Sequence, residues 1–199
     1  MTRRRMLEIA VAVGVLLLLL AVLLVRPTAR RTSAPSAVLF ERAPGQAPDF
    51  GSMAYQSRIA ISPDSSRALV LYPVEFEERA DLFVTDRRLG NGYRLALAES
   101  SRVEDTPKRV GWLDASLAWV IVGYMYGTVS PGGDLFAFDP TSGRGVCLWA
   151  SQDSDRTQAV EFTPPDRVRL RVFDADLGAS RDSLLVLAPG TLETARHGL

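Results

Sequence analysis

A chain of 199 residues with one histidine and one cysteine must build any chemistry mainly from hydroxyls and carboxylates. Ser130, in Gly127-Thr-Val-Ser-Pro-Gly-Gly133, is the first nucleophile to consider. Thr128 stands where a G-x-S-x-G elbow needs its first glycine, however, and Pro131-Gly132-Gly133 reads as a turn. The only imidazole base is His197, so serine hydrolysis is not expected. Cys147 lies in the apolar pattern Gly145-Val-Cys-Leu-Trp149 and reads as a small buried side chain. Asp174 and Asp176 occupy the first and third positions of a calcium-type loop, but Gly178 offers no side-chain oxygen at the fifth and Leu185 replaces the glutamate at the twelfth. That segment reads as a hairpin tip. No phosphate loop, paired metal cysteines or dinucleotide fingerprint is present. The expectation is no catalytic residue, no metal and no cofactor.

Residues suited to contact remain. Glu75, Glu77, Glu78 and Asp81 form the densest acidic cluster, interrupted by Phe76. Such a loop is either simply hydrated or docks a basic partner. Trp112, Trp119, Trp149, Tyr124 and Tyr126 gather in one stretch. All five suit core and inter-sheet packing, and the sharper alternative is a protein contact at Tyr124-Met-Tyr126, before the Ser130 turn. Glu75, Glu77, Glu78, Tyr124 and Tyr126 are the candidate partner contacts.

The elements that position them repeat along the chain. Arg58-Ile-Ala-Ile-Ser-Pro-Asp64, Arg109-Val-Gly-Trp-Leu-Asp114 and Ala159-Val-Glu-Phe-Thr-Pro-Pro-Asp166 recur at a step of about fifty residues. Asp81-Leu-Phe-Val-Thr-Asp86, Asp134-Leu-Phe-Ala-Phe-Asp139 and Ser183-Leu-Leu-Val-Leu-Ala188 follow in the same order. Alternation marks strands at Arg67–Tyr72, Leu117–Val122 and Arg167–Phe173; in the last, Arg167, Arg169 and Arg171 face away from Val168, Leu170 and Val172. Ser62-Pro-Asp-Ser-Ser66, Leu113-Asp-Ala-Ser116 and Thr163-Pro-Pro-Asp166 supply the turns between first and second strands.

Residues 61–70 (Ile-Ser-Pro-Asp-Ser-Ser-Arg-Ala-Leu-Val), followed by Asp81–Asp86 and Tyr93-Arg-Leu95, resemble the TolB-type, WD-like propeller repeat. Unit 57–97 carries the likeness best, unit 108–150 carries it fairly, and unit 158–195 keeps the skeleton. Ser65 stands where that family has a glycine. The resemblance implies a binding or assembly scaffold and no catalytic residue. Closed propellers need about four blades or more. Three units therefore leave three arrangements: a ring shared by two copies, missing strands supplied by segment 38–56, or an open twisted stack or sandwich, and the exposed edges of an open stack favour self-association or a partner.

The N-terminus has a different character. Between Glu8 and Arg26 lie 17 uncharged residues, and a helix over 6–25 would be about 30 Å long, the thickness of a bilayer's hydrocarbon core. A cleaved signal peptide has a shorter apolar stretch and a small-residue cleavage site. Here Arg26-Pro27 and Arg30-Arg31 follow instead, and no cysteine follows for lipid attachment. The expected organisation is a basic cytoplasmic tail over 1–5, a transmembrane helix over 6–25, a proline-rich tether over 26–56 with an edge strand at 38–41, and the β-repeat domain over 57–195. Arg3, Arg4 and Arg5 on one side and Arg26, Arg30 and Arg31 on the other would hold lipid headgroups.

The net charge of zero hides this division. Residues 1–31 hold six arginines against one acid (+5), and the rest holds 17 basic and 22 acidic groups (−5). A mildly acidic domain with dispersed cations is not expected to bind nucleic acid. The fold class expected is an all-β extracytoplasmic domain of about three four-stranded antiparallel meanders behind one transmembrane α-helix. Its expected role is a membrane-anchored, non-catalytic protein-binding or assembly module of a cell-envelope complex, with a protein partner or a second copy as its contact. A small-ligand sensor or carrier, or an accessory subunit of a membrane-associated enzyme, are the alternatives.

Overall fold

The computed structural model describes residues 37–44, 57–74, 78–88, 91–98, 104–126, 131–151, 156–174 and 176–199, all within the compact unit 33–199. The expected tail, membrane span and most of the tether, with Arg3, Arg4, Arg5, Arg26, Arg30 and Arg31, lie outside the described residues. Among the described residues no helix is long and apolar enough to cross a membrane.

The domain is all-β, built of three antiparallel meanders in chain order. The first contains β3 (Arg58–Ile61), β4 (Arg67–Tyr72), β5 (Asp81–Asp86) and β6 (Gly92–Leu97). The second contains β7 (Asp105–Trp112), β8 (Ala118–Tyr124), β9 (Asp134–Phe138) and β10 (Arg144–Trp149). The third contains β11 (Thr157–Thr163), β12 (Arg167–Asp174) and β13 (Ala179–Val186). Four strands were expected in this last unit and three are found among the described residues. Past Val186 the apolar run ends at Leu187-Ala-Pro-Gly190, and the chain turns into helix α1 (Thr191–Gly198), whose Ala195 packs on Ala137 and Val146 of the second sheet. Pro189 removes a backbone donor that a fourth strand would use, and the left-handed Gly190 (φ 80°) starts the helix.

Two further strands precede the meanders. β1 (Ala37–Val38) pairs with β10, and β2 (Phe40–Ala43) pairs with β6. One segment thus gives both larger sheets their fifth strand, crossing from one to the other at Leu39. The crossing is pinned by the carbonyl of Gly143, which accepts from the N–H groups of Leu39 (3.0 Å) and Phe40 (2.9 Å). Gly143 has φ 72°, and a Cβ there would lie 2.1 Å from the Phe40 oxygen, so both conformation and space demand glycine.

The second sheet is the middle layer. Leu69, Leu71, Leu82 and Leu95 of the first sheet meet Ala118, Val120 and Val122 of β8 on one side. Trp119 and Ile121 of β8 meet Phe162, Val168 and Leu170 of the third sheet on the other. This explains why β8 reads Ala-Trp-Val-Ile-Val with no polar alternation: both faces are covered. Trp112 joins the first core and donates its Nε1 proton to the Ala60 carbonyl at 2.9 Å.

The turns form as their sequences require. Asp64 accepts from the Ser62 hydroxyl (2.6 Å) and the Ser66 hydroxyl (2.8 Å), and Ser65 sits at φ 58°, a conformation that glycine adopts more readily. In the second unit Asp114 Oδ1 accepts from Ser116 N (2.7 Å) and Leu117 N (2.8 Å) in the same way. Burial pushes the Asp114 carboxyl up, but these donors and Arg196 bring it below its ordinary value.

Candidate functional site

A cleft of about 170 Å³ opens where β7 packs along β3 and β4. Three cations line it: Arg58 of β3, and Lys108 and Arg109 of β7. Pro73, Val74, Met125 and Pro131 form apolar walls, and Glu78 and Thr106 complete it. The Thr106 hydroxyl oxygen accepts from Ala80 N at 2.9 Å, which ties the start of β5 to β7.

The local cause is a β-bulge. β7 pairs Pro107 with Val122 and then Arg109 with Ile121, so Lys108 is the extra residue. In a regular strand Lys108 and Arg109 would face opposite sides. The bulge re-aims one of them, and both line the cleft. Burial lowers the Lys108 pKa, with Asp105 acting against that effect. Burial also lowers the Arg58 pKa, with the nearby positive charge of Arg109 second. Among the described residues no carboxylate ion-pairs with Arg58 or Arg109.

The sequence-derived contact residues fall as follows. Glu78 lines the cleft, so this acid faces cations of its own chain; Glu75 and Glu77 lie outside the described residues. Tyr124 and Tyr126 are exposed and meet edge to face, 5.5 Å between ring centroids, and Met125 between them lines the cleft. Dehydration, then the Glu104 carboxylate, pushes the Tyr124 phenol up. Sequence reading singled out neither Arg58 nor Arg109. A signal existed, since both occupy the first position of the repeat, and the equivalent strands β3 and β7 pack side by side. The third unit has Ala159 there.

A second feature lies on the third sheet. β13 is an edge strand of eight residues among the described residues, with seven of them exposed. Leu187 N donates to Asp166 O at 2.8 Å, which fixes the alternation of the ladder. The backbone groups of Ser180, Asp182, Leu184 and Val186 therefore point away from β12. Leu184 (64% exposed) and Val186 (57%) stand on the outer face beside an ion network in which Arg169 reaches Glu161 at 2.6 Å and Arg171 reaches Asp182 at 3.1 Å.

The remaining chemical candidates do not assemble. Asp174 Oδ1 is occupied by the N–H groups of Asp176 (3.0 Å) and Leu177 (3.1 Å), as a turn requires. Among the described residues no three His, Cys, Asp or Glu side chains could hold a metal ion. Cys147 is half-buried, not fully buried as its strand pattern suggests. Ser130 lies outside the described residues.

Fold and cleft together define an all-β domain of stacked meanders with a cationic cleft between the first two. Residues 77–176 match the family described as a domain of unknown function, DUF4652, and the chain belongs to that family. A crystal structure of a conserved candidate lipoprotein from Clostridium novyi NT is similar in fold, with a TM-score of 0.60 at 19% sequence identity, covering 78% of this chain and all of the other. No curated protein matches the sequence.

Proposed function

We propose that this chain is a membrane-anchored, extracytoplasmic, non-catalytic module that binds a protein partner or a second copy in the cell envelope. The observation that carries this reading is β13, a long exposed edge whose outward N–H and C=O groups and outer row of Leu184 and Val186 suit the addition of an extended strand. Among the described residues the third sheet has three strands where the other two have five. The TolB-type resemblance belongs to the same proposal, supported by the two four-stranded meanders of like order. A fold neighbour named as a candidate lipoprotein agrees with a domain held at a membrane surface. No cysteine stands directly after the apolar run of this chain, so the apolar segment itself would be the anchor.

Leu184→Pro tests the edge. It removes an N–H that points outward, leaves the β12 ladder intact, and should change stability by less than about 1 kcal/mol. Wild-type protein solubilised in mild detergent should hold its partner or form a dimer by light scattering, and Leu184→Pro should lose that complex. A complex that survives the substitution places the contact elsewhere.

A further inference from the structure

We infer that the cleft between β3, β4 and β7 binds a small organic anion through a carboxylate or phosphate head held by Arg58 and Arg109. Three observations converge on it. First, Arg58 and Arg109 share one concavity, and among the described residues neither has an ion-pair partner. With Lys108 set against Asp105, the two guanidinium groups outnumber Glu78, the one lining carboxylate among the described residues. Second, the bulge at Lys108 brings two consecutive cationic side chains to the same cleft at the cost of a ladder pairing. Third, Pro73, Val74, Met125 and Pro131 shield part of the cleft from water, and burial lowers the pKa of Arg58 and Lys108, so a bound anion would be screened less than at an open surface. Guanidinium forks match the two oxygens of a carboxylate or phosphate. The Thr106 hydroxyl retains a proton to donate. This gives the small-ligand alternative a definite place, and it stands independently of the β13 edge.

The test is calorimetric titration of the full chain in mild detergent at low ionic strength, with inorganic phosphate in one arm and succinate in the other. Saturable binding of at least one anion is expected, and the tighter arm assigns the head group. Arg58→Gln and Arg109→Gln should each weaken binding about tenfold, the loss of one charge-assisted contact, while Arg171→Gln and Leu184→Pro leave it unchanged. Without anion, both cleft variants should unfold at a urea concentration equal to or above wild type, because a repulsion is relieved. No saturable binding by either anion, binding that Arg58→Gln and Arg109→Gln leave within twofold, or a lowered urea midpoint in both variants would each overturn the inference.

Discussion

Asp64 concentrates the physics of the first turn in one carboxylate. The Ser62 hydroxyl first, then the Ser66 hydroxyl and N–H, bond to its charged form and lower its pKa from 3.8 to about 2. Because the folded value lies below the unfolded one, the stabilising contribution is complete above 3.8 and is lost as pH falls through about 2. A carbon-detected NMR titration should place Asp64 near 2, and Ser66→Ala should move it back toward 3.8; an unmoved value would contradict the assigned bonds. The Ser-Pro-Asp-Ser-Ser turn was legible in sequence because its donors and acceptor are neighbours in the chain. Arg58 and Arg109 were not singled out, since their meeting depends on β3 packing beside β7, and only their shared position in the repeat, nothing local to either residue, pointed to it.

At the scale of elements, the segment 37–43 is the most consequential. Phe40 is buried and its ring lies 5.1 Å from that of Phe138, so the segment contributes core as well as ladder. Gly143 controls the fit. Gly143→Ala would place an L-residue at φ 72° and a Cβ 2.1 Å from a backbone oxygen. We expect a loss of about 2–4 kcal/mol, read as a lower urea midpoint with an unchanged slope. Sequence pattern placed β4, β5 and β12 almost to the residue, because their apolar and polar positions or flanking aspartates mark them. It also gave Val38-Leu-Phe40 as an edge strand, but not its division between two sheets, since alternation says which face is buried and not which neighbour supplies the partner. The helix α1 was missed because the repeat led the reading to continue the strand pattern past Val186, where Pro189 and Gly190 were the available stop signals.

For the whole molecule, the period of about fifty residues was the strongest signal. It gave three meanders from two series of short segments, and what it could not give was how many strands close each one. The charge division along the chain bears on placement. If 6–25 spans the bilayer with Arg3–Arg5 inside, added protease should digest the 57–195 domain in cells whose outer barrier is opened while the inner membrane stays sealed. Protection until full lysis would reverse the proposed orientation.

The strap that closes both large sheets also sets an order in time. Residues 37–43 leave the ribosome before anything they pair with: Phe40 must wait for Leu97, and Ala37 for Gly145. Until Gly143 and β10 have emerged, β1 has no partner and the crossing lacks the carbonyl that pins it, and the growing chain passes through a stage in which its first strand has no finished site to occupy. Long-range closure of this kind slows folding and lengthens exposure to misassembly. Synthesis halted before β10 should therefore leave the nascent domain sensitive to proteolysis in a way that the finished chain is not.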